Sequence, residues 1–154
     1  MMKAFAPATT LAEPRVPTTG AQVLVIDDDP DIRAMLEWAL SRSGLDVATA
    51  VDGRTGLAAA SALRPDLIVL DVMMPGQSGL LVCDQLRRTS STMTTPILML
   101  SAAPTETNMA WGREAGANAF LAKPLSPALL TAHVHRMLDE GPATPPPWHA
   151  PRSR

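Results

Sequence analysis

The 154-residue sequence holds one cysteine, no tyrosine and only two phenylalanines. A lone thiol, Cys83, excludes an intramolecular disulfide framework and with it the small secreted folds that depend on one. Hydrophobic residues make up 46% of the chain, yet no stretch approaches the roughly 18 consecutive apolar positions of a membrane span. The opening residues, Met1-Met2-Lys3-Ala4-Phe5-Ala6-Pro7, have neither the charged lead nor the unbroken apolar core of a secretory signal. A soluble, cytoplasmic protein without membrane insertion is the expectation. A clustered basic face is also missing: the formal net charge is −2, and acidic side chains outnumber basic ones between Gln22 and Glu140. Direct nucleic-acid binding is therefore not expected. The small groupings Arg87-Arg88 and Arg152 with Arg154 read as a solvated helix end and a polar tail.

The length suits one domain with a substantial core. Residues 1–20 contain Pro7, Pro14 and Pro17 without periodicity and read as a disordered N-terminal tail. Residues 21–140 form the folded unit, and residues 141–154, with Pro145-Pro146-Pro147, read as a disordered proline-rich tail. Fourteen residues after Glu140 are too few for an output domain, and the Met1 start fits a stand-alone chain.

Within the folded unit, short apolar runs alternate with segments of helical spacing. Leu67-Ile68-Val69-Leu70 has no polar interruption, as in a strand buried on both faces, and it runs into Asp71 and the turn at Pro75-Gly76. Val23 to Ile26 is a second such strand, ending at Asp27-Asp28-Asp29-Pro30. Leu45 to Ala50, Ile97 to Leu100 before Ser101, and Ala119 to Ala122 before Lys123-Pro124 complete five strands. Helices are expected over 30–43 with Gly44 as stop, 53–63 with Leu57, Ala60 and Leu63 on one face, 79–88, 104–115 and 127–139. In the last, Leu129, Leu130, Val134, Met137 and Leu138 point inward and Ser126 is the N-cap. Five repeats of strand then helix imply a parallel sheet covered on both faces.

Each strand end that faces the following helix carries chemistry: Asp27 and Asp28, Asp71, Ser101 and Lys123. In open α/β sheets this carboxyl edge is where ligands sit. If the strand order sets the first and third strands side by side, Asp27, Asp28 and Asp71 converge, and three neighbouring carboxylates repel unless a cation neutralises them or one takes a proton. All-oxygen ligands favour Mg²⁺, with Mn²⁺ a substitute, and a bound Mg²⁺ commonly shares a phosphate oxygen. An ammonium and a hydroxyl beside it make a cradle for phosphoryl oxygens, with Asp71 as a carboxylate nucleophile. Cys83 reads as a packing residue and Asp29 as a loop or capping carboxylate, a direct metal contact being its lesser reading.

Taken together, Val23-Leu24-Val25-Ile26-Asp27-Asp28-Asp29-Pro30, the run Leu67 to Gly79, Ile97-Leu98-Met99-Leu100-Ser101-Ala102 and Phe120-Leu121-Ala122-Lys123-Pro124 resemble the response-regulator receiver domain of two-component signalling over about residues 22–139. The resemblance implies a flavodoxin-like, doubly wound five-stranded sheet of order 2-1-3-4-5 with five helices. It implies that Asp71 accepts a phosphoryl group from a histidine kinase or histidine phosphotransfer protein, and that the chain catalyses only its own phosphorylation and dephosphorylation. Asp27, Asp28, Asp71 and the backbone carbonyl of Met73 would hold Mg²⁺. Ser101 and Lys123 would contact the phosphoryl group, Ser101 and Phe120 would carry the switch, and the Lys123-Pro124 bond matches a position often cis. Output would pass to a downstream protein through the fourth helix, fifth strand and fifth helix, with Met109 and Trp111 as exposed anchors. The same surface would support a monomer or a weak dimer.

Two positions depart from the commonest pattern: Phe120 stands where tyrosine is usual and Ser101 where threonine is. Two other readings compete. One is an adaptor of the same fold working without phosphorylation. The other is a carboxylate-nucleophile phosphatase, which needs an acid two residues after Asp71, where this chain has Met73.

Overall fold

A computed structural model describes residues 20–103 and 105–144. The expected tail over 1–20, apart from Gly20, lies outside them, as do Pro104 and all of the second tail beyond Thr144. The elements alternate as β1 (Gln22–Ile26), α1 (Pro30–Arg42), β2 (Asp46–Ala50), α2 (Gly53–Leu63), β3 (Leu67–Asp71), α3 (Gly79–Arg87), β4 (Ile97–Ser101), α4 (Glu106–Ala115), β5 (Ala119–Ala122) and α5 (Pro127–Glu140). All pairings are parallel, in the order β2-β1-β3-β4-β5. The flavodoxin-like arrangement is the observed one.

The three inner strands β1, β3 and β4 carry nearly unbroken apolar runs because both of their faces are covered. Val23, Val25, Leu67, Val69, Leu98 and Leu100 pack with Leu36 and Leu40 of α1 and with Leu130, Val134 and Met137 of α5. The intervening residues Leu24, Ile26, Ile68, Leu70, Ile97 and Met99 pack on the other side with Ala60 of α2 and Val82, Cys83 and Leu86 of α3. Period-two alternation along each strand thus feeds two apolar layers.

Every helix opens on a short polar side chain that accepts a backbone N–H: Asp29, Asp52, Ser78, Thr105 and Ser126. Such caps fix the start of each helix directly after its strand-end loop. Asp29 accepts from the backbone N–H groups of Asp31 and Ile32, so its carboxylate serves α1.

Three helical faces differ from the sequence reading. Leu63 of α2 is exposed, and the buried side of that helix is Gly53, Gly56 and Ala60. A Cβ at Gly56 would stand 2.7 Å from Cδ1 of Ile26, so the helix lies too close to β1 for larger residues on that side. Leu129 of α5 is exposed in the first turn, and Leu130 takes the inward place. Arg87, expected in solvent, is fully buried. It follows Gly79, Val82, Cys83 and Leu86 at the three-and-four spacing of the inward face of α3, so the helix itself carries it inside.

The Arg87 guanidinium donates five hydrogen bonds: Nε to Gly116 O at 3.0 Å, Nη1 to the carbonyls of Thr92, Met93 and Thr95 at 3.2, 3.2 and 2.8 Å, and Nη2 to Asn118 Oδ1 at 2.8 Å. No carboxylate pairs with it among the described residues, and burial holds its pKa below the ordinary value, tempered by the Cys83 sulfur. Asn118 Oδ1 also accepts from Ile97 N at 2.8 Å, so one side chain ties α3, the loop before β4 and the loop before β5 together. Close to this junction, Ala143 N donates to Thr94 O at 2.7 Å, laying the first residues after α5 against the same loop.

Candidate phosphoacceptor site

Adjacency of β1 and β3 brings two distant segments together: Ile26 is registered with Leu70, so the residues that follow, Asp27 and Asp71, end neighbouring strands. Asp27 is fully buried and Asp71 is 2% exposed, while Asp28 is half-buried. One carboxylate oxygen from each of Asp27, Asp28 and Asp71 lies within 4.8 Å of the others. Lys123, one residue past β5, reaches the same place from two strands away. Its Nζ stands 3.2 Å from Asp71 Oδ1 and 3.3 Å from Asp27 Oδ2. The Lys123-Pro124 peptide bond next to it is cis.

Three of the four polar groups of Asp27 are tied down by hydrogen bonds. Its N–H donates to Ala50 O at 3.2 Å, its Oδ1 accepts from Asp29 N at 2.9 Å, and its carbonyl accepts from Arg33 Nη1 at 2.9 Å. Its Oδ2 is enclosed and accepts no hydrogen bond, although the Lys123 ammonium is within ion-pair distance. The ammonium therefore supplies charge to that oxygen without a directed donor.

Burial, and then the neighbouring Asp27 charge, push the Asp71 carboxyl up to about 6, against the opposing pull of Lys123 and of the Met73 N–H. That N–H donates to Asp71 Oδ1 at 3.3 Å. Burial pulls Lys123 down, but the Asp71 and Asp27 charges outweigh it and its pKa lies above the ordinary value. The two shifts do not mirror each other because Asp71 faces an anion as well as a cation, whereas Lys123 faces two anions.

The loop after β3 is pinned by Gly79, whose N–H donates to Val72 O at 2.9 Å. A Cβ there would run into the Asp71 carbonyl, so α3 can start this close to the acid only with glycine. Met73, whose N–H meets Asp71, is itself 69% exposed.

Ser101 ends β4 and is buried, with its Oγ accepting from Ala103 N at 3.1 Å. It shares the sheet edge with the acids, but the hydrogen bond it makes is local. Phe120 is registered with Met99, and its ring lies against Gly112 of α4, where a Cβ would come within 2.6 Å of Cζ. Of the two expected anchors, Met109 is half-buried. Trp111 is 53% exposed but lines a groove of about 570 Å³ with Asp84, Glu114 and Ala115, which places it on the α3 side of α4 and not beside β5. A cleft of about 600 Å³ lined by Ala21, Pro65, Asp66 and Pro96 is at the other edge of the sheet, where β1, β3 and β4 begin, away from the acids.

The donor set fits a hard divalent cation: three carboxylates, one of them with an unsatisfied enclosed oxygen, and no nitrogen or sulfur ligand. The family model for the response regulator receiver domain matches residues 23–135. The chain belongs to the response-regulator receiver domain family. Receiver domains of this family are signalling switches that bind Mg²⁺ at an acidic pocket.

Among its relatives, this receiver domain is 44% identical over 117 residues to the alkaline phosphatase synthesis transcriptional regulatory protein PhoP of Bacillus subtilis, covering 76% of this chain and 48% of PhoP. It is 40% identical over 129 residues to the DNA-binding response regulator MtrA of Mycobacterium tuberculosis, covering 82% of this chain and 55% of MtrA. The receiver domain thus spans about half the length of the curated relatives it matches. Among solved structures, the chemotaxis protein CheY4 of Vibrio cholerae superposes with a TM-score of 0.75 at 37% identity, covering 77% of this chain and 99% of CheY4. A BeF3-activated DrrB receiver domain superposes with a TM-score of 0.71 at 30% identity, covering 79% of this chain and 99% of that one. No described helix of this receiver domain is long and apolar enough to cross a membrane.

Sequence reasoning missed two arginines near these features. Arg33 reaches back from α1 to the Asp27 carbonyl, and Arg87 closes the far end of the α3–α4 side. For Arg87 the signal was its phase on the helix; for Arg33 there was none, because only the loop conformation puts that carbonyl within reach.

Proposed function

We propose that this receiver domain is a phosphorylation-activated switch in which Asp71 accepts a phosphoryl group from a histidine kinase or histidine phosphotransfer protein. The observation that carries the reading is the convergence of Asp27, Asp28, Asp71 and Lys123 on one sheet edge, with Asp71 between a cation and an anion. An Asp71 carboxylate oxygen attacks phosphorus as the donor's phosphorus–nitrogen bond breaks, and the electron pair of that bond leaves with the donor imidazole. A carboxyl raised to about 6 is still mostly ionised at neutral pH, so the nucleophile is present in its reactive form.

Asp27, Asp28 and Asp71 would hold Mg²⁺ together with the Met73 carbonyl, and Mn²⁺ would substitute. When bound, the cation neutralises charge developing on the phosphoryl oxygens. Lys123 would lose its carboxylate partner as Asp71 becomes an acyl phosphate and would pair instead with a phosphoryl oxygen. Ser101 Oγ accepts from Ala103 N and so keeps its own proton, which it would donate to the phosphoryl group. Phe120, held against Gly112, would couple that change to α4, and the surface of α4, β5 and α5 would carry it to a protein partner or a weak dimer. Phenylalanine has no hydroxyl, so this coupling works through packing alone.

The chain catalyses nothing beyond its own phosphorylation and dephosphorylation on this reading. A phosphatase would need an acid at position 73, where an exposed methionine stands. The test is incubation with a small-molecule phosphodonor and Mg²⁺, read by intact mass. One phosphoryl group on the wild type and none on Asp71→Asn is expected. Equal labelling of the two removes Asp71 from its role, and no labelling of the wild type by any donor favours an adaptor.

A further inference from the structure

Arg33 is the fourth residue of α1, near the helix end whose dipole disfavours a cation. Its guanidinium is nevertheless turned back, half-buried, to donate from Nη1 to the Asp27 carbonyl at 2.9 Å. With that bond, each polar group of Asp27 other than Oδ2 is fixed by a hydrogen bond: the N–H by β2, Oδ1 by Asp29 N and the carbonyl by Arg33. The Arg33 backbone closes the same loop from the other side, its N–H donating to Asp29 O at 2.9 Å. Between the end of β1 and the start of α1, the peptide that presents both Asp27 and Asp28 is thus clamped from the helix that follows.

We infer that Arg33 is a positioning residue for the acidic pair, holding the Asp27–Asp28 peptide in the conformation that receives a divalent cation. The inference rests on the functional reading above. Two effects of Arg33 on cation binding have opposite signs. As a charge near three carboxylates it opposes a cation; as a clamp on the ligand-bearing backbone it favours one, since groups that orient metal ligands change affinity by about 10-fold or more when removed. The wrong-end placement and the directed bond favour the clamp.

The experiment is titration of the full, unphosphorylated chain with MgCl2 by calorimetry, on the wild type, Arg33→Met and Arg33→Lys, with melting temperatures measured in EDTA. Positioning predicts Mg²⁺ binding about 10-fold weaker in Arg33→Met, partly restored in Arg33→Lys, while Asp31→Asn, a charge change in the same helical turn, has a much smaller effect. Tighter binding by Arg33→Met shows a purely electrostatic role and overturns the inference, as does unchanged affinity. If Arg33→Met does not fold, Arg33→Lys decides: full wild-type affinity then overturns the inference and a several-fold loss supports it. Failure of the wild type itself to bind Mg²⁺ overturns the cation reading of the site and the inference with it.

Discussion

Replacing Arg87 with methionine tests whether a buried cation with no counter-ion among the described residues stabilises this fold. Methionine keeps much of the unbranched stem that packs on Gly116 and removes all five donated hydrogen bonds. The bonds to Gly116 O, Thr92 O and Thr95 O are in fully buried surroundings, and those carbonyls would lose this partner. At about 1–3 kcal/mol for each unsatisfied buried group, the loss is roughly 3–9 kcal/mol. Against it stands relief from desolvating a guanidinium, worth several kcal/mol in the opposite direction. The net expectation is a destabilisation of about 3 kcal/mol, a large share of the 5–15 kcal/mol typical of a domain. For a domain of this size that is a fall in melting temperature of roughly 10 °C. Urea unfolding followed by far-UV circular dichroism measures it, with an unchanged slope showing that the native and unfolded states remain comparable. Arg87→Lys should be at least as damaging, because it retains the desolvation cost and gives up the planar fork that reaches two loops at once. A loss below about 1 kcal/mol in Arg87→Met, or a lysine variant as stable as the wild type, refutes the reasoning.

In Mg²⁺-free buffer, the raised Asp71 pKa makes a stabilising contribution that is full below about 4 and lost as pH rises through about 6. Urea midpoints should therefore show Asp71→Asn gaining on the wild type across that window, by about 1–2 kcal/mol at pH 7 after allowance for screening by Lys123 and solvent; a pH-independent difference counts against it. Mg²⁺ at ten times its dissociation constant should stabilise the wild type by about 1.4 kcal/mol and leave Asp71→Asn or Asp28→Asn nearly unmoved, as thermal melts would show. Gly112→Ala should drive the Phe120 ring from its seat and cost about 1–2 kcal/mol despite the better helix propensity of alanine, and ring-proton chemical shifts should report the displacement. Unchanged Phe120 shifts would mean that the ring and α4 are not coupled.

Much of this architecture can be read from residue order, for an identifiable reason. Strands covered on both faces must be apolar throughout, so the first polar residue after Ile26 and Leu70 marks both the strand end and the site. Asp27 and Asp71 announce themselves in this way, and Ser101 marks the end of β4 likewise, whereas Lys123 follows the half-buried edge strand β5. What periodicity leaves out is the third dimension of side chains that sit at a boundary. Arg87 occupies an inward helical position yet bears a charge, and its acceptors come from loops that no local pattern brings together. Leu129 and Leu130 are both apolar neighbours, and only the seating of α5 against α1 and β3 decides which turns inside. Trp111 lies on α4 as expected, but the rotation of that helix, set by Gly112 against Phe120, aims it toward α3. Asp29 carries the same side chain as the two acids before it; the start of α1 claims it as a cap.

The interlaced strand order also governs when the site comes into being. Asp27 and Asp71 flank each other across β1 and β3, but the ammonium that answers them follows β5, the last strand of the sheet. A nascent chain that has emerged only as far as β4 would hold its carboxylates without their lysine, with no cation of the chain's own to offset the repulsion that Lys123 counters in the finished sheet. The full set of Asp27, Asp28, Asp71 and Lys123 therefore assembles only with the final strand, which makes the charge balance of this sheet edge a property of the completed fold.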